Sequence, residues 1–300
     1  MLRIVLSAVV TVWLAATLTF LLLRVLPGDA LEAQLLQGGA SRERITEVRD
    51  ELGLNDALLI QYGRYIAALV QGDLGYSLGN GRSVNIIIAE RLWPTLRLAG
   101  SALCIAIPLG LFIGILASTQ YLLGRFAQML IMLSISVPIY WSGTLVIIVF
   151  AAQLGWFPAS GSVGWRALVL PVAVLSFHTL GEIARITQVN VRATQSMTFV
   201  QVARSKGLPQ GAIWRRHTLR PALLPVISVI ALQAGFLIGG TVITETLFVR
   251  SGIGRLLLDS TINQDYPVVQ GIVILSTLVY VSVNALADVA YQFADPRLRD

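Results

Sequence analysis

Charge is the first thing missing from this 300-residue chain: only 13% of its residues are Asp, Glu, Lys or Arg, against roughly 25% in soluble globular proteins. With 55% hydrophobic residues and a mean hydropathy of +0.74, a water-soluble domain is excluded. Lysine is almost absent. Of 22 basic residues one is lysine, Lys206, and the rest are arginine. A phosphate-binding loop needs Gly-x4-Gly-Lys-Ser/Thr, and Lys206 is followed by Gly207, so this chain is not itself a P-loop ATPase. A single cysteine, Cys104, excludes an intramolecular disulfide and a cysteine metal cluster. Its place inside an apolar run reads as that of a small core residue. Histidine occurs twice, at His178 and His217. His178 and Glu182 stand one helical turn apart, but a protein metal site takes three or more ligands, so the pair reads as structural and no metal is expected. No internal repeat is visible, which leaves an inverted-repeat secondary transporter without direct support.

Apolar runs are what the chain has in excess. Six reach the roughly 20 residues that cross a bilayer: about 4–23, 98–116, 127–152, 168–186, 222–248 and 268–293. The expectation is an all-α integral membrane protein of six transmembrane helices. The first run exceeds a signal-peptide core and no small-x-small cleavage site follows it, so it reads as an uncleaved span. The net charge of +6 is then topological and implies no nucleic acid, because Lys and Arg collect in cytoplasmic loops. Residues 185–220 hold seven basic and no acidic side chains, which places that stretch in the cytoplasm. Counting spans outward puts both termini there too, and residues 27–94 outside. That segment carries a turn, Leu26-Pro27-Gly28-Asp29, and a polar helix over 41–52 with Ile45, Val48 and Leu52 on one face. Trp156, Phe157 and Trp165 mark an interface belt, and Pro138 is expected to kink the third span.

Between the fourth and fifth spans lies a basic island, residues 197–225. Phe199, Val202, Ala203 and Lys206 recur at helical spacing, predicting a short amphipathic helix. Gly207 supplies a left-handed stop and Pro209 prevents the same helix from resuming. A second short helix is expected over 211–219. Helix, break, helix between two spans is a shape for docking rather than for chemistry.

Val202-Ala203-Arg204-Ser205-Lys206-Gly207 resembles the "EAA" loop of the permease subunits of ABC importers, with an alanine four positions before a glycine. Gln201 stands where the name-giving Glu would be. The longer stretch, continuing through Arg216-His217-Thr218-Leu219-Arg220-Pro221 to Leu224-Pro225, is similar to the dipeptide/oligopeptide/nickel branch of that family. Gly72–Leu78, Glu90-Arg91-Leu92-x-x-Thr95-Leu96, the 250–255 stretch, Asn263–Val268 with its Gln264, and Asp288-x-x-Tyr291-x-x-x-Asp295-Pro296-Arg297 fit the same branch in order. The resemblance implies a type I ABC importer permease in the cell inner (plasma) membrane, divided into a first helix (1–26), an extracytoplasmic segment (27–94) and a permease core (95–295). It implies a coupling loop over 190–220, with Phe199, Gln201, Val202, Ala203, Arg204, Ser205, Lys206 and Gly207 meeting an ATPase subunit. Implied partners are a second permease, one or two ATPase subunits and an extracytoplasmic substrate-binding protein that delivers a di- or oligopeptide. Nickel chelates, glutathione and other small solutes belong to the same branch. ATP and Mg would sit on the ATPase subunits, and no cofactor is expected on this chain.

Polar groups at membrane depth are costly and are functional candidates by default. Gln233 and Glu245 in the fifth span, and Asn284 and Asp288 one turn apart in the sixth, are candidates for the translocation pathway or its gate; hydrogen bonding between packed helices is the rival reading. Rival functions are thin. A rhomboid-type protease would need Gly-x-Ser-Gly, and Pro158-Ala159-Ser160-Gly161 has proline first. An ion-coupled secondary transporter would rest on Glu245 and Asp288 alone.

Overall fold

An apolar run inside a bilayer must pair its own N–H and C=O groups, and the helix is the local way to do so. The computed structural model describes residues 2–25, 41–51, 53 and 55–294, and the chain is helical almost throughout, with no β-strand among the described residues. The helices are α1 (Leu2–Val25), α2 (Arg42–Glu51), α3 (Leu58–Val70), α4 (Val84–Ala117), α5 (Leu122–Ser136) and α6 (Ile139–Val146). They continue with α7 (Arg166–Gln195), α8 (Thr198–Ser205), α9 (Gln210–Ala212), α10 (Arg220–Gly240), α11 (Val242–Leu247), α12 (Ile253–Ile262) and α13 (Tyr266–Ala294). Wide π turns extend α6 over Ile147–Gln153 and join α9 to α10 over Ile213–Leu219. The 26–29 turn, Leu52, Leu54 and the 295–297 end of the last motif lie outside the described residues.

Among the described residues five helices are long and apolar enough to cross a membrane, and one bent pair makes a sixth span if counted as one. That pair corrects the expected kink in the third span. α5 and the α6 segment meet at 104°, a break in the helical path rather than a bend within one helix. The residue before a proline is pushed out of the helical region, and Val137, ahead of Pro138, sits at φ −79°, ψ 127°. The fifth run is also divided: α10 ends at Gly240 and α11 resumes at Val242. The expected second short helix of the basic island is a single turn, α9, running through the π segment straight into α10. Pro221 does not interrupt it: the proline stands directly after the wide π turns of Ile213–Leu219, at the second residue of α10, and irregular helical turns of this kind accommodate a missing N–H in a membrane helix. Cys104, read as a core residue, lies exposed on α4. A lipid-facing side is as apolar as an interior one, so apolarity alone does not tell them apart.

The chain divides into two compact units. The first, Met1–Trp93 with Gly252–Val279, packs Val84, Ile87 and Ile88 of α4 against Ile253 of α12 and Val268 and Ile272 of α13. In it α3 lies on α1 through Phe20, whose ring meets Tyr62 and Tyr65 at 5.3 and 5.4 Å. The second unit, Pro94–Ser251 with Tyr280–Asp300, is built around α7. Most of the apolar stretch of α7 is buried, against about a third of that of α4. Leu175, Leu180, Ile183 and Ala184 of α7 seat α4, α5 and α10 in successive layers. The close approach depends on glycine: a Cβ on Gly114 would meet the Ala184 carbonyl oxygen at 2.5 Å, and one on Gly110 would meet Ile183 at 2.9 Å.

Two substitutions on α4 separate packing from helix propensity. Gly100 faces open space, so Gly100→Ala should leave stability unchanged or slightly raised. Gly114→Ala must displace α7 backbone and should cost about 1–3 kcal/mol by overpacking, read as a lowered melting temperature of the purified chain in detergent.

Candidate functional site

The basic island folds as a short bracket in the second unit. α8 begins after Met197, whose extended backbone ends α7, and its last turns close through Lys206 N–H to the Val202 carbonyl at 3.0 Å and Gly207 N–H to Arg204 at 2.9 Å. Gly207 takes φ +72°, and Leu208 N–H reaches back to the Ala203 carbonyl at 3.3 Å. This is the left-handed C-cap that favours glycine. Nothing lies within 4 Å of a Cβ built on Gly207, so backbone conformation, not space, selects the residue. Pro209 then starts α9, its carbonyl accepting from Ala212 and Ile213 at 2.9 and 3.1 Å.

The bracket is held by one small apolar cluster: Val200 and Ala203 of α8 against Ile213. Here the structure turns the expected face. Phe199, Val202, Ala203 and Lys206 were one stripe in the sequence; instead Val200 joins Ala203 inside, while Phe199 and Val202 are 44% and 46% exposed. α8 therefore has two apolar sides, one anchored and one open. Gln201, Arg204, Ser205, Lys206 and Gly207 are exposed around the open side. Gln201 Nε2 donates to the Ser196 carbonyl at 3.2 Å, tying α8 to the end of α7, and Ser205 Oγ donates back to Gln201 at 3.1 Å.

The root of the bracket is fastened by a feature the sequence reading missed. The Ala117 carbonyl, at the C-terminus of α4, accepts from Gln128 Nε2 of α5 at 2.9 Å and from Gln188 Nε2 and Arg192 Nη2 of α7 at 3.0 and 2.8 Å. Helix C-termini leave carbonyls without helical partners, and here three side chains from two neighbouring helices meet on one. The i, i+4 pair Gln188 and Arg192 was the available signal, but nothing local to it points to Ala117.

Among the polar pathway candidates, Glu245 is the one whose surroundings are built. It is 1% exposed, and its Oε1 accepts from the Thr95 hydroxyl at 2.6 Å, 150 residues away in sequence. Thr241 and Thr244, also buried, flank it on the α10–α11 junction. Just beyond, Arg250 is 2% exposed and gives Nη1 to the Gly161 and Ala167 carbonyls at 3.2 and 3.1 Å. Gln233 is half-buried on α10. Asn284 spends its amide on the Tyr280 carbonyl of its own helix at 3.0 Å, and Asp288, one turn on, is exposed. His178 Nε2 meets Ser142 Oγ at 2.8 Å, a structural link between α6 and α7. In the first unit Asp265 is buried and accepts from the Ser77 hydroxyl, from Leu78 N–H at 3.1 Å and from Gly79 N–H at 3.5 Å. Thr95, Ser77 and Asp265 all lie in motifs recognised in the sequence, though no role was attached to them there.

Comparison with known proteins agrees with this architecture. The family model for the binding-protein-dependent transport system inner membrane component matches residues 106–300, and the N-terminal model of the same family matches residues 1–99. A peptide transport system permease protein of Brucella abortus is 37% identical, covering 99% of this chain and 98% of the relative. A glutathione transport system permease of Salmonella paratyphi A is 36% identical over 99% of this chain and 98% of its own length. Among solved structures, an amino acid ABC transporter aligns with TM-score 0.57 at 16% identity, over 70% of this chain and 94% of that one. The MetNI methionine ABC transporter in an inward-facing form aligns with TM-score 0.58 at 16% identity, over 70% and 96%. These two show the fold alone. With both family models and near-full-length relatives in agreement, the chain belongs to the binding-protein-dependent transport system inner membrane components, the permease subunits of ABC importers, on the branch that holds the peptide and glutathione permeases.

Proposed function

We propose that this chain forms half of the translocation pathway of an ATP-driven importer for small peptides handed over by an extracytoplasmic binding protein. The peptide class rests on full-length relatives whose names carry peptide and glutathione transport, glutathione being itself a short peptide-like solute. A second permease subunit completes the pathway, and one or two ATPase subunits supply ATP and Mg. The observation that carries the reading is α8. It is anchored on its inner side by Val200 and Ala203 and offers Phe199 and Val202, rimmed by Arg204 and Lys206, on the other. An amphipathic helix of this kind lays its apolar side into a groove on a partner. The ATPase subunit is that partner, and the cytoplasm is its side of the membrane.

Movement of α8 reaches the spans through the shared Ala117 carbonyl, because Arg192 and Gln188 sit on the last turns of α7 before the bracket. We assign Glu245, with Thr95, to the gate of the path, and place Gln233, Asn284 and Asp288 along it. In this reading both termini lie in the cytoplasm and residues 27–94 outside, an orientation supported by the positive charge of 185–220. Identification of the ligand that stabilises the cognate binding protein against heat tests the substrate class: a short peptide supports it, and a nickel chelate or sugar alone overturns it.

Two predictions follow from α8 and Glu245. A β-branched residue in the left-handed region costs about 1–2 kcal/mol, so Gly207→Val should leave membrane insertion intact and abolish co-purification of the ATPase. Gly207→Asn, which tolerates that conformation, should retain it; equal behaviour of the two variants counts against the role. Thr95→Val removes the hydroxyl that donates to the buried Glu245 carboxylate, and losing a hydrogen bond to a charged group should cost about 1–3 kcal/mol. Solute uptake in proteoliposomes should fall while ATPase association is unchanged. Loss of stability with full uptake would make the pair a packing bond only.

A further inference from the structure

Helix α3 carries an apolar side that no other described residue covers. Leu59 and Val70 are 83% and 82% exposed, and Ile60 is more than half exposed. Gly63 and Ala67 lie on the same side at helical spacing. The helix has one charged residue, Arg64, and it is paired with Asp56 just ahead of the N-terminus. Such a surface is unusual for a segment passing through water.

Where α3 is attached decides what covers it. Tyr62 donates to or accepts from the Thr17 hydroxyl at 2.7 Å and meets Phe20 edge-on, while Tyr65 stacks on Phe20. Phe20 and Thr17 belong to α1, whose apolar run ends at Leu23, ahead of Arg24. At 1.5 Å per residue these contacts lie about 5–9 Å below the end of that stretch. Interfacial helices bury their apolar faces to about 5–10 Å, at the boundary of headgroups and acyl chains. Tyrosine is enriched at that level, where its ring is in hydrocarbon and its hydroxyl reaches a polar partner. The neighbouring surface of α1 is itself open and apolar: Leu14, Leu18, Leu21 and Leu22 are all exposed. The apolar side of α3 thus continues an existing lipid-facing surface.

We propose that α3 is a membrane-interfacial helix, lying in the leaflet in which α1 ends, with Leu59, Ile60 and Val70 against lipid. This divides the segment between the first two spans. The loop from Gly72 to Ser83 is polar and clasped by Asp265, and remains available to a soluble partner. α3 belongs to the bilayer. The proposal rests on α1 crossing the membrane and is independent of the substrate and of which side residue 23 faces.

The test uses the full chain assembled with its partners in nanodiscs, in a Cys104→Ser background so that the exposed native thiol is not labelled. Leu59→Cys and Val70→Cys, with Asp50→Cys on the polar helix α2 as the comparison, are labelled with an environment-sensitive fluorophore. The expected result is blue-shifted emission from positions 59 and 70, lost mostly to phosphatidylcholine bearing a nitroxide near the headgroup and little to aqueous iodide, with the reverse at position 50. Iodide quenching at 59 and 70 would overturn the proposal by showing a water-facing surface. Blue-shifted emission insensitive to both quenchers would overturn it by showing a protein cover. Lipid quenching that persists for the chain without its partners supports it, and its absence there while present in the complex would overturn a docking built into this chain.

Discussion

Close approach of α4 and α5 to α7 is the constraint on which the second unit depends. Lipid tails are as apolar as leucine, so helices in a bilayer gain little by hiding apolar surface from one another. What holds them is shape: small residues that let backbones come near, and hydrogen bonds where polar groups would otherwise face hydrocarbon. Gly110 and Gly114 set α4 against the Leu180–Thr187 stretch of α7, and Gly181 takes the Ser134 side chain of α5 in the space where its own would be. Ser134, 0% exposed, then returns its hydroxyl to the Ile131 carbonyl at 2.8 Å. The three donors on the Ala117 carbonyl close the same helices at one end. Glycine contacts along the helices and one saturated carbonyl at their end fix α4, α5 and α7 as a block.

Much of this was legible in the sequence, for a definite reason. Length and apolarity of a span are properties of one contiguous segment, and the bilayer imposes them locally. Gly207 and Pro209 were readable because a left-handed cap and a helix start are also local. What was not legible was pairing. Thr95 and Glu245 are 150 residues apart, and Ser77 and Asp265 are 188 apart. Each was visible only as part of a motif, and nothing in either motif names its partner. The inner side of α8 was misassigned for a related cause. A helix with apolar residues at 199, 200, 202 and 203 has two candidate stripes, and only Ile213, from beyond the turn, chooses Val200 with Ala203. Cys104 shows the limit of apolarity as a guide, since its exposed position on α4 is as hydrophobic in pattern as the buried Ala102 two residues earlier.

The breaks in the spans locate where the second unit is stiff and where it is not. Val249 has φ +52°, a conformation rare for a β-branched residue. Strain of that kind persists only where the surroundings over-determine it. They do so here: Arg250 N–H closes on the Glu245 carbonyl at 2.7 Å, Gly161 N–H on Phe248 at 3.1 Å, and Ser251 N–H on Ser162 Oγ at 2.8 Å. The buried Arg250 guanidinium adds two carbonyls of its own. A residue held against its preference by this many bonds cannot also be a hinge. The Val137–Pro138 break differs, since its angle comes from ordinary extended backbone, kept out of the helical region at Val137 by the proline ring that follows it. If the permease alternates between two packings of its spans, the 245–251 segment moves as a piece with Gly161, Ser162 and the first turn of α7, because Arg250 and Ser251 bond all three.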